Sequence, residues 1–229
     1  MVYAILLSGG IGSRTGFDIP KQFIEFNGRP MLAFCIDKFV AFSDFKKIII
    51  SSPKEYLNKT KELINSFFPN ETRLVVIEGG ATRQDTLMNS LSYINDLTNE
   101  DECIVCHDAA RIFVSVDQIE KCIKYTKEYG AASPVIPSTD VIIETRGNAV
   151  FKMPNRYDMV HVQTPQGFYI GEYLQLYNSL LEDDIDSVHE IIRVYFLNNK
   201  DVFLFDGEKS NFKVTTSIDV EIASQILKV

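Results

Sequence analysis

The first apolar run of the chain, Val2–Leu7, passes straight into Ser8-Gly9-Gly10-Ile11-Gly12-Ser13-Arg14-Thr15-Gly16, and Pro20-Lys21-Gln22-Phe23 follows closely. Glycines after a strand let backbone N–H groups approach phosphate oxygens with no side chain in the way. Arg14 and Lys21 add two cations along the same segment, an arrangement suited to wrapping a triphosphate. A glycine-rich turn with no ligand is the plain alternative. Two familiar phosphate loops fail on spacing: there is no G-x-x-x-x-G-K-[ST], and G-x-G-x-x-G would need glycine where Thr15 stands. Pro20 also argues against a long helix opening directly from the loop.

A second cluster, His107-Asp108-Ala109-Ala110-Arg111, closes another apolar run. An acid at the carboxyl end of a strand is well placed to hold Mg²⁺ against phosphates, although a helix-capping Asp beside a solvated Arg would read the same way. The third, Asn211-Phe212-Lys213-Val214-Thr215-Thr216, puts Lys213 just ahead of the last helix, and by itself it reads as a surface lysine. His107, His161 and His189 fall in no triad pattern and are taken as structural.

Groups so far apart in sequence need a scaffold that brings strand ends together. Short β-rich runs alternate with helical patterns: VYAILL, then a helix over 30–42; KIIISS, then 53–67; RLVVIEG, then 82–95; ECIVCHD, then 116–129. Apolar runs without alternation, such as Ile48-Ile49-Ile50, suit parallel strands covered on both faces, and ligands in such sheets bind at the carboxyl ends of strands. The expectation is a doubly wound, mostly parallel α/β sheet within one domain over residues 1–229. After residue 130 the rhythm changes. VIIETRGNAVFKM reads as a hairpin turning at Arg146-Gly147-Asn148, and its apolar residues exceed what one sheet face would cover, which invites a second subunit. Helices over 171–182 and 186–196, a strand DVFLF and a helix from about 216 complete the pattern.

Bulk properties narrow the function. A net charge of −8 offers no basic field for nucleic acid, and no apolar run approaches a membrane span. MVYAILLSGG lacks the cationic start of a secretion signal, so the cytoplasm is the expected compartment. Cys103 and Cys106 form a C-x-x-C, but residues three apart on a strand face opposite ways and cannot share a metal.

LLSGGIGSRTG…PKQF, GGATRQDT, HDAAR, NRYDMVHVQTPQGF and NFKVTTSIDV occur in the order and spacing of the cytidylyltransferases that make 4-diphosphocytidyl-2-C-methylerythritol, and of their relatives that make CDP-ribitol. The chain resembles this family over nearly its whole length. The resemblance implies a nucleotide-diphospho-sugar transferase-like fold with a projecting β-hairpin arm at about 138–157, and a homodimer. It implies CTP and a small polyol phosphate as substrates, with Mg²⁺. Arg14, Lys21 and Lys213 would be the catalytic cations, and Ser8, Gly9, Gly10 and Gly12 would line the nucleotide. Gly80, Arg83 and Thr86 would lie near cytosine and ribose, and Asp108 would face Mg²⁺ or the acceptor. Arg111, Thr139, Arg156 and Thr164 would bind the acceptor, Arg156 reaching across from the neighbouring subunit.

This sequence departs from the family at Ile112, where proline is usual, at Val141, where a threonine is expected, and at Val188 and His189, where the methylerythritol enzymes carry a hydroxyl and an acid. These departures bear on which alcohol is accepted. The Gly9-Gly10 pair favours a ribitol 5-phosphate-like acceptor over 2-C-methyl-D-erythritol 4-phosphate. A catalytically silent nucleotide-binding homologue is the alternative of another class, and the retention of Arg14, Lys21, Asp108 and Lys213 speaks against it.

Overall fold

The computed structural model describes residues 1–9, 19–98 and 101–227. The N-terminal half runs β1 (Val2–Leu7), β2 (Glu25–Phe26), β3 (Arg29–Pro30), α1 (Met31–Val40), β4 (Phe45–Ser52), α2 (Leu57–Phe67), β5 (Leu74–Glu78), α3 (Arg83–Asn95) and β6 (Cys103–Asp108). The C-terminal half runs α4 (Val116–Tyr129), β7 (Ala132–Pro137), β8 (Glu144–Arg146), β9 (Ala149–Lys152), β10 (Val160–Val162) and β11 (Gln166–Tyr169). It closes with α5 (Ile170–Asn178), α6 (Glu182–Ile185), α7 (Ile191–Leu197), β12 (Phe203–Asp206) and α8 (Ser217–Ile226).

The main sheet has the order β10-β7-β11-β6-β1-β4-β5, with β12 also paired to β7. The β6-β1-β4-β5 ladders and the β12-β7 ladder are parallel, while β11 and β10 run antiparallel to their neighbours. Apolar side chains on both faces of β1 explain why it is central. Ala4 and Leu6 join the core cluster that also holds Met31 and Phe39 of α1 and Ile119 of α4. Tyr3, Ile5 and Leu7 join the opposite cluster, with Leu87 and Leu91 of α3 and Tyr173 of α5. Cys103 and Cys106 fall in different clusters, on opposite faces of β6, as the strand argument requires.

Local chemistry sets the boundaries. β2 and β3 are joined by Asn27-Gly28, both at positive φ (51° and 74°), the backbone of a tight hairpin turn that an Asn-Gly pair tolerates. Thr82 and Thr216 each form a reciprocal capping box with an acid three residues on, Asp85 and Asp219, which starts α3 and α8. Gly167 lets α4 lie directly on β11: a Cβ there would fall 1.8 Å from Thr126 Oγ1 and 3.0 Å from Cys122 Sγ.

The expected doubly wound framework is present, with differences on the C-terminal side. β7, β10 and β11 had no counterpart in the sequence reading. β7 carries Pro134 and Pro137, residues that normally demote a strand, and Pro165 separates β10 from β11. The helix expected over 186–196 begins only at Ile191. Val188 is drawn into the core and the guanidinium of Arg83 binds the His189 carbonyl, so the chain between α6 and α7 is held extended. β8 and β9 pair only with each other, and among the described residues they form an arm separate from the main sheet.

Candidate active site

A cavity of about 310 Å³ opens at the carboxyl ends of β1 and β6. Ser8, Gly9 and Lys21 line one side, Gly80, Arg83 and Thr86 another, and Asp108 and Lys213 the floor between them. Gly10, Gly12 and Arg14 lie outside the described residues. Gln22, Ala81 and Thr82 also line the cavity without having been assigned a role. Gln22 sits in the PKQF motif, which is where the signal for it lay.

The glycine-side wall is fixed by its own hydrogen bonds. Ser8 Oγ donates to the Ser51 carbonyl of β4 (2.6 Å), so Ser8 is committed to the sheet. The Gln22 side chain donates to the Ser8 carbonyl (3.0 Å), which draws the Lys21-bearing turn back onto the end of β1. Lys21 Nζ reaches the Val214 carbonyl (3.3 Å), one residue beyond Lys213. On the other wall, Thr86 Oγ1 accepts the Gly80 N–H (2.9 Å) and donates to the Thr82 carbonyl (2.8 Å). A Cβ on Gly9 would stand 3.1 Å from that same Thr86 hydroxyl, and one on Gly80 would stand 2.2 Å from Asp85 Cβ. At Gly80 the packing of this wall requires glycine, whereas at Gly9 a side chain would need only a slight adjustment of Thr86.

Asp108 is the electrostatic centre. Lys213 Nζ donates to its Oδ2 (2.6 Å) and Arg83 Nε to its Oδ1 (3.2 Å). Burial alone would raise the Asp108 pKa, but the Arg83 and Lys213 charges outweigh it and hold the carboxyl ionised well below the usual range. Arg83 reaches on to the His189 carbonyl (3.4 Å) and to Glu190 (3.4 Å), so its guanidinium is tied into a charge network beside the cavity. Burial works against the charge on Arg83, and its acidic neighbours, Asp108 first, override that and raise its pKa. Among the described residues no group of three or more His, Cys, Asp or Glu could hold a metal. The donor set therefore fits an Mg²⁺ carried largely by substrate phosphates, with Asp108 as the available carboxylate, and does not fit a metal caged by protein alone.

Behind Asp108 lies His107, fully buried between two partners. Its Nε2 is 3.0 Å from the Arg111 carbonyl, which can only accept, so Nε2 carries the proton. Nδ1, 2.9 Å from Thr164 Oγ1, must then accept from that hydroxyl, which itself receives the Asp108 N–H (3.1 Å). Burial pushes the imidazole pKa down to about 4, consistent with this neutral form and with a structural role.

Apart from Asp108, the residues assigned to the acceptor do not line this cavity. Thr164 is buried and its hydroxyl is used up by His107 and the Asp108 amide. Arg111 donates to the Asn211 carbonyl (2.9 Å) and the Val162 carbonyl (3.5 Å). Thr139 is exposed after β7, and Arg156 is exposed in a short turn past the arm, beside Tyr157. The departures from the family pattern also lie away from the lining. Ile112 and Val188 are core residues, Val141 is exposed near the arm, and His189 offers its carbonyl to Arg83.

Phosphate-seeking cations around a strand-end carboxylate, in a cavity at the carboxyl edge of a parallel sheet, define an α/β nucleotidyltransferase. The chain belongs to the 2-C-methyl-D-erythritol 4-phosphate cytidylyltransferase family, whose model matches residues 2–229, and it is accordingly a cytidylyltransferase. Among solved structures it is similar to 2-C-methyl-D-erythritol 4-phosphate cytidylyltransferase from Francisella tularensis, at 28% identity and TM-score 0.81 over 99% of each chain. It shares its fold with 4-diphosphocytidyl-2C-methyl-D-erythritol synthase from Anaerococcus prevotii, at 23% identity and TM-score 0.83, covering 100% of this chain and 96% of that one. The 2-C-methyl-D-erythritol 4-phosphate cytidylyltransferase from Thermus thermophilus matches at 24% identity and TM-score 0.74 over 100% of both chains. The family model and the 28%-identical structure carry the methylerythritol name, so they favour the acceptor that the sequence ranked second over the ribitol preference.

Proposed function

We propose that this chain transfers CMP from CTP to 2-C-methyl-D-erythritol 4-phosphate, giving 4-diphosphocytidyl-2-C-methyl-D-erythritol and pyrophosphate. The observation that carries this reading is the family match across residues 2–229, with Lys21, Asp108 and Lys213 meeting in one cavity. The ribitol alternative rested on the Gly9-Gly10 pair and on four departures. The family match across the chain outweighs those single positions.

The acceptor is already a phosphate monoester, largely dianionic at neutral pH, so the reaction needs no general base. A phosphate oxygen of the acceptor attacks the α-phosphorus of CTP, a new P–O–P bond forms, the bond to the β-phosphate bridging oxygen breaks, and that electron pair leaves on pyrophosphate. Charge builds on the α-phosphoryl oxygens and the leaving group, where Lys21 and Lys213 stand ready to stabilise it. Asp108 orients the Lys213 ammonium through one of its N–H bonds and leaves the others for phosphate. Asp108 would face an Mg²⁺ brought with the triphosphate, which would supply further neutralisation of negative charge. Arg14, outside the described residues, is assigned to the CTP phosphates by the resemblance to the family alone.

A homodimer completes the site in this reading. The arm exposes Val150, Phe151 and Met153, with Val141 and Tyr157 beside it, an apolar surface suited to a second copy of the chain. Arg156 does not line its own chain's cavity, which agrees with its serving the partner's. No helix among the described residues is long and apolar enough to cross a membrane, and all four cysteines are free, which fits a reducing cytoplasm.

The deciding assay is pyrophosphate release with CTP, UTP or ATP against 2-C-methyl-D-erythritol 4-phosphate and ribitol 5-phosphate. The highest kcat/KM is expected for CTP with the methylerythritol phosphate. Faster turnover of ribitol 5-phosphate would restore the other acceptor, and CTP binding without turnover of either would mark a silent homologue.

A further inference from the structure

The motif NRYDMVHVQTPQGF contains a buried residue, Gln163, that touches neither the cavity nor any residue given a role above. Its side chain does something specific. Gln163 Nε2 donates to the carbonyls of Glu208 (2.9 Å) and Asn211 (3.3 Å), while its Oε1 accepts the Glu208 N–H (3.2 Å). A side-chain amide offers a donor and an acceptor on one planar fork, so Gln163 takes the place of a strand partner beyond Gly207, whose own N–H is still held by the Val135 carbonyl (2.8 Å). Asn211, also fully buried, returns the contact by donating from Nδ2 to the Thr164 carbonyl (2.8 Å). Gly207 leaves the room this needs: a Cβ there would stand 2.5 Å from Gln163 Oε1.

The stapled segment, 207–212, leads directly into Lys213. Just beyond it, the Val214 N–H is held by the Ala110 carbonyl (2.9 Å). Lys213 is thus pinned on both sides, downstream by the turn after β6 and upstream by Gln163 and Asn211. We propose that Gln163 and Asn211 are positioning residues that act through Lys213, setting where its ammonium sits relative to Asp108 and the α-phosphate. This rests on the reading of Lys213 as the cation that stabilises the transition state. A lysine displaced by about 1 Å loses up to about a hundredfold in rate while substrate still binds, because the alignment matters most at the transition state.

The test is a pair of double-mutant cycles in the full-length enzyme, read as kcat and as KM for CTP from pyrophosphate release. Gln163→Glu and Asn211→Asp each put an oxygen in place of the donating amide nitrogen, which removes the donation to the Glu208 and Asn211 carbonyls in the first and to the Thr164 carbonyl in the second, and each places a carboxylate at a buried position. Each is made alone and with Lys213→Ala. Expected is a fall in kcat of about tenfold or more for each single variant, with KM for CTP changed less than about twofold and no further loss in the Lys213→Ala background. Losses that multiply with that of Lys213→Ala, or that appear chiefly in KM, would overturn the positioning role. Should Gln163→Glu fail to fold, as judged by its melting transition, Asn211→Asp decides alone. A slow Lys213→Ala enzyme beside an Asn211→Asp enzyme of wild-type kcat would refute the inference and leave the proposed reaction standing. A Lys213→Ala enzyme of wild-type kcat would overturn the transition-state role of Lys213 and the inference that rests on it.

Discussion

Asp108, Lys213 and Arg83 form a buried charge group whose members cannot be judged singly, because removing one leaves the others unpaired. The lysines are the cleaner probes. Lys21→Ala and Lys213→Ala are each expected to lower kcat about a hundredfold, roughly 3 kcal/mol of transition-state stabilisation, with far less effect on CTP binding. Equal losses in binding and turnover, from steady-state kinetics and calorimetric titration, would count against that role. His107 supplies a test of a different kind, in nucleotide-free and metal-free protein. Its pKa is about 4 folded against 6.5 when unperturbed, so the unfolded chain binds more protons between those values. Stability therefore falls as pH drops through 6.5 towards 4, by about 3 kcal/mol in total. Glu190, whose pKa is raised chiefly by burial, titrates in the opposite sense near the lower end, but its side chain is half exposed and offsets only part. Urea unfolding across that range should show the slope in wild type and lose most of it in His107→Gln, and parallel curves would refute the assignment. At this scale the sequence revealed the cations, the carboxylate and the glycines, because each type declares its chemistry beside a strand end. It did not reveal the work of Gln163 and Asn211, since a buried amide on backbone groups looks in sequence like any polar loop residue.

Helices and strands hold these groups through a few tight approaches. Gly167 is the sharpest case, with no room for a methyl group between β11 and Thr126 of α4. Gly167→Ala is expected to destabilise the protein by about 1–3 kcal/mol, and adding Thr126→Ala should recover part of that by removing Oγ1. Urea midpoints of the two variants check this, and no recovery would mean that Cys122 Sγ or the strand itself sets the limit. The N-terminal elements were legible in the sequence: VYAILL, KIIISS and ECIVCHD each carry an apolar run without alternation, and the helix over 116–129 matches α4. β7, β10 and β11 were not, because prolines fall within β7 and between β10 and β11, and their partners lie far along the chain. The split between α6 and α7 depends on Arg83 and on core contacts of Val188, both tertiary and invisible to local periodicity.

For the whole molecule the decisive question is whether the arm serves its own site or a neighbour's. If Lys21→Ala and Arg156→Ala are each nearly inactive as homodimers, mixing them gives dimers of which half are heterodimers. With Arg156 acting in trans, each heterodimer has one intact site, and activity recovers to about a quarter of wild type. No recovery, with subunit exchange verified by mass spectrometry, would place Arg156 in its own chain's site. The projecting hairpin was readable from VIIETRGNAVFKM, whereas the cavity it would complete was not, since no sequence pattern states which subunit a residue faces. The pairing of Lys213 with Asp108 has a last consequence, for the encounter with substrate. In the idle enzyme two of the cavity's cations are already answered by a carboxylate, and the chain around them carries a net charge of −8. A triphosphate approaching from beyond the Debye length, about 8 Å in physiological salt, meets a repelling body and feels the cavity's cations only at close range. CTP capture should therefore quicken as moderate salt is added, the reverse of an electrostatically steered association.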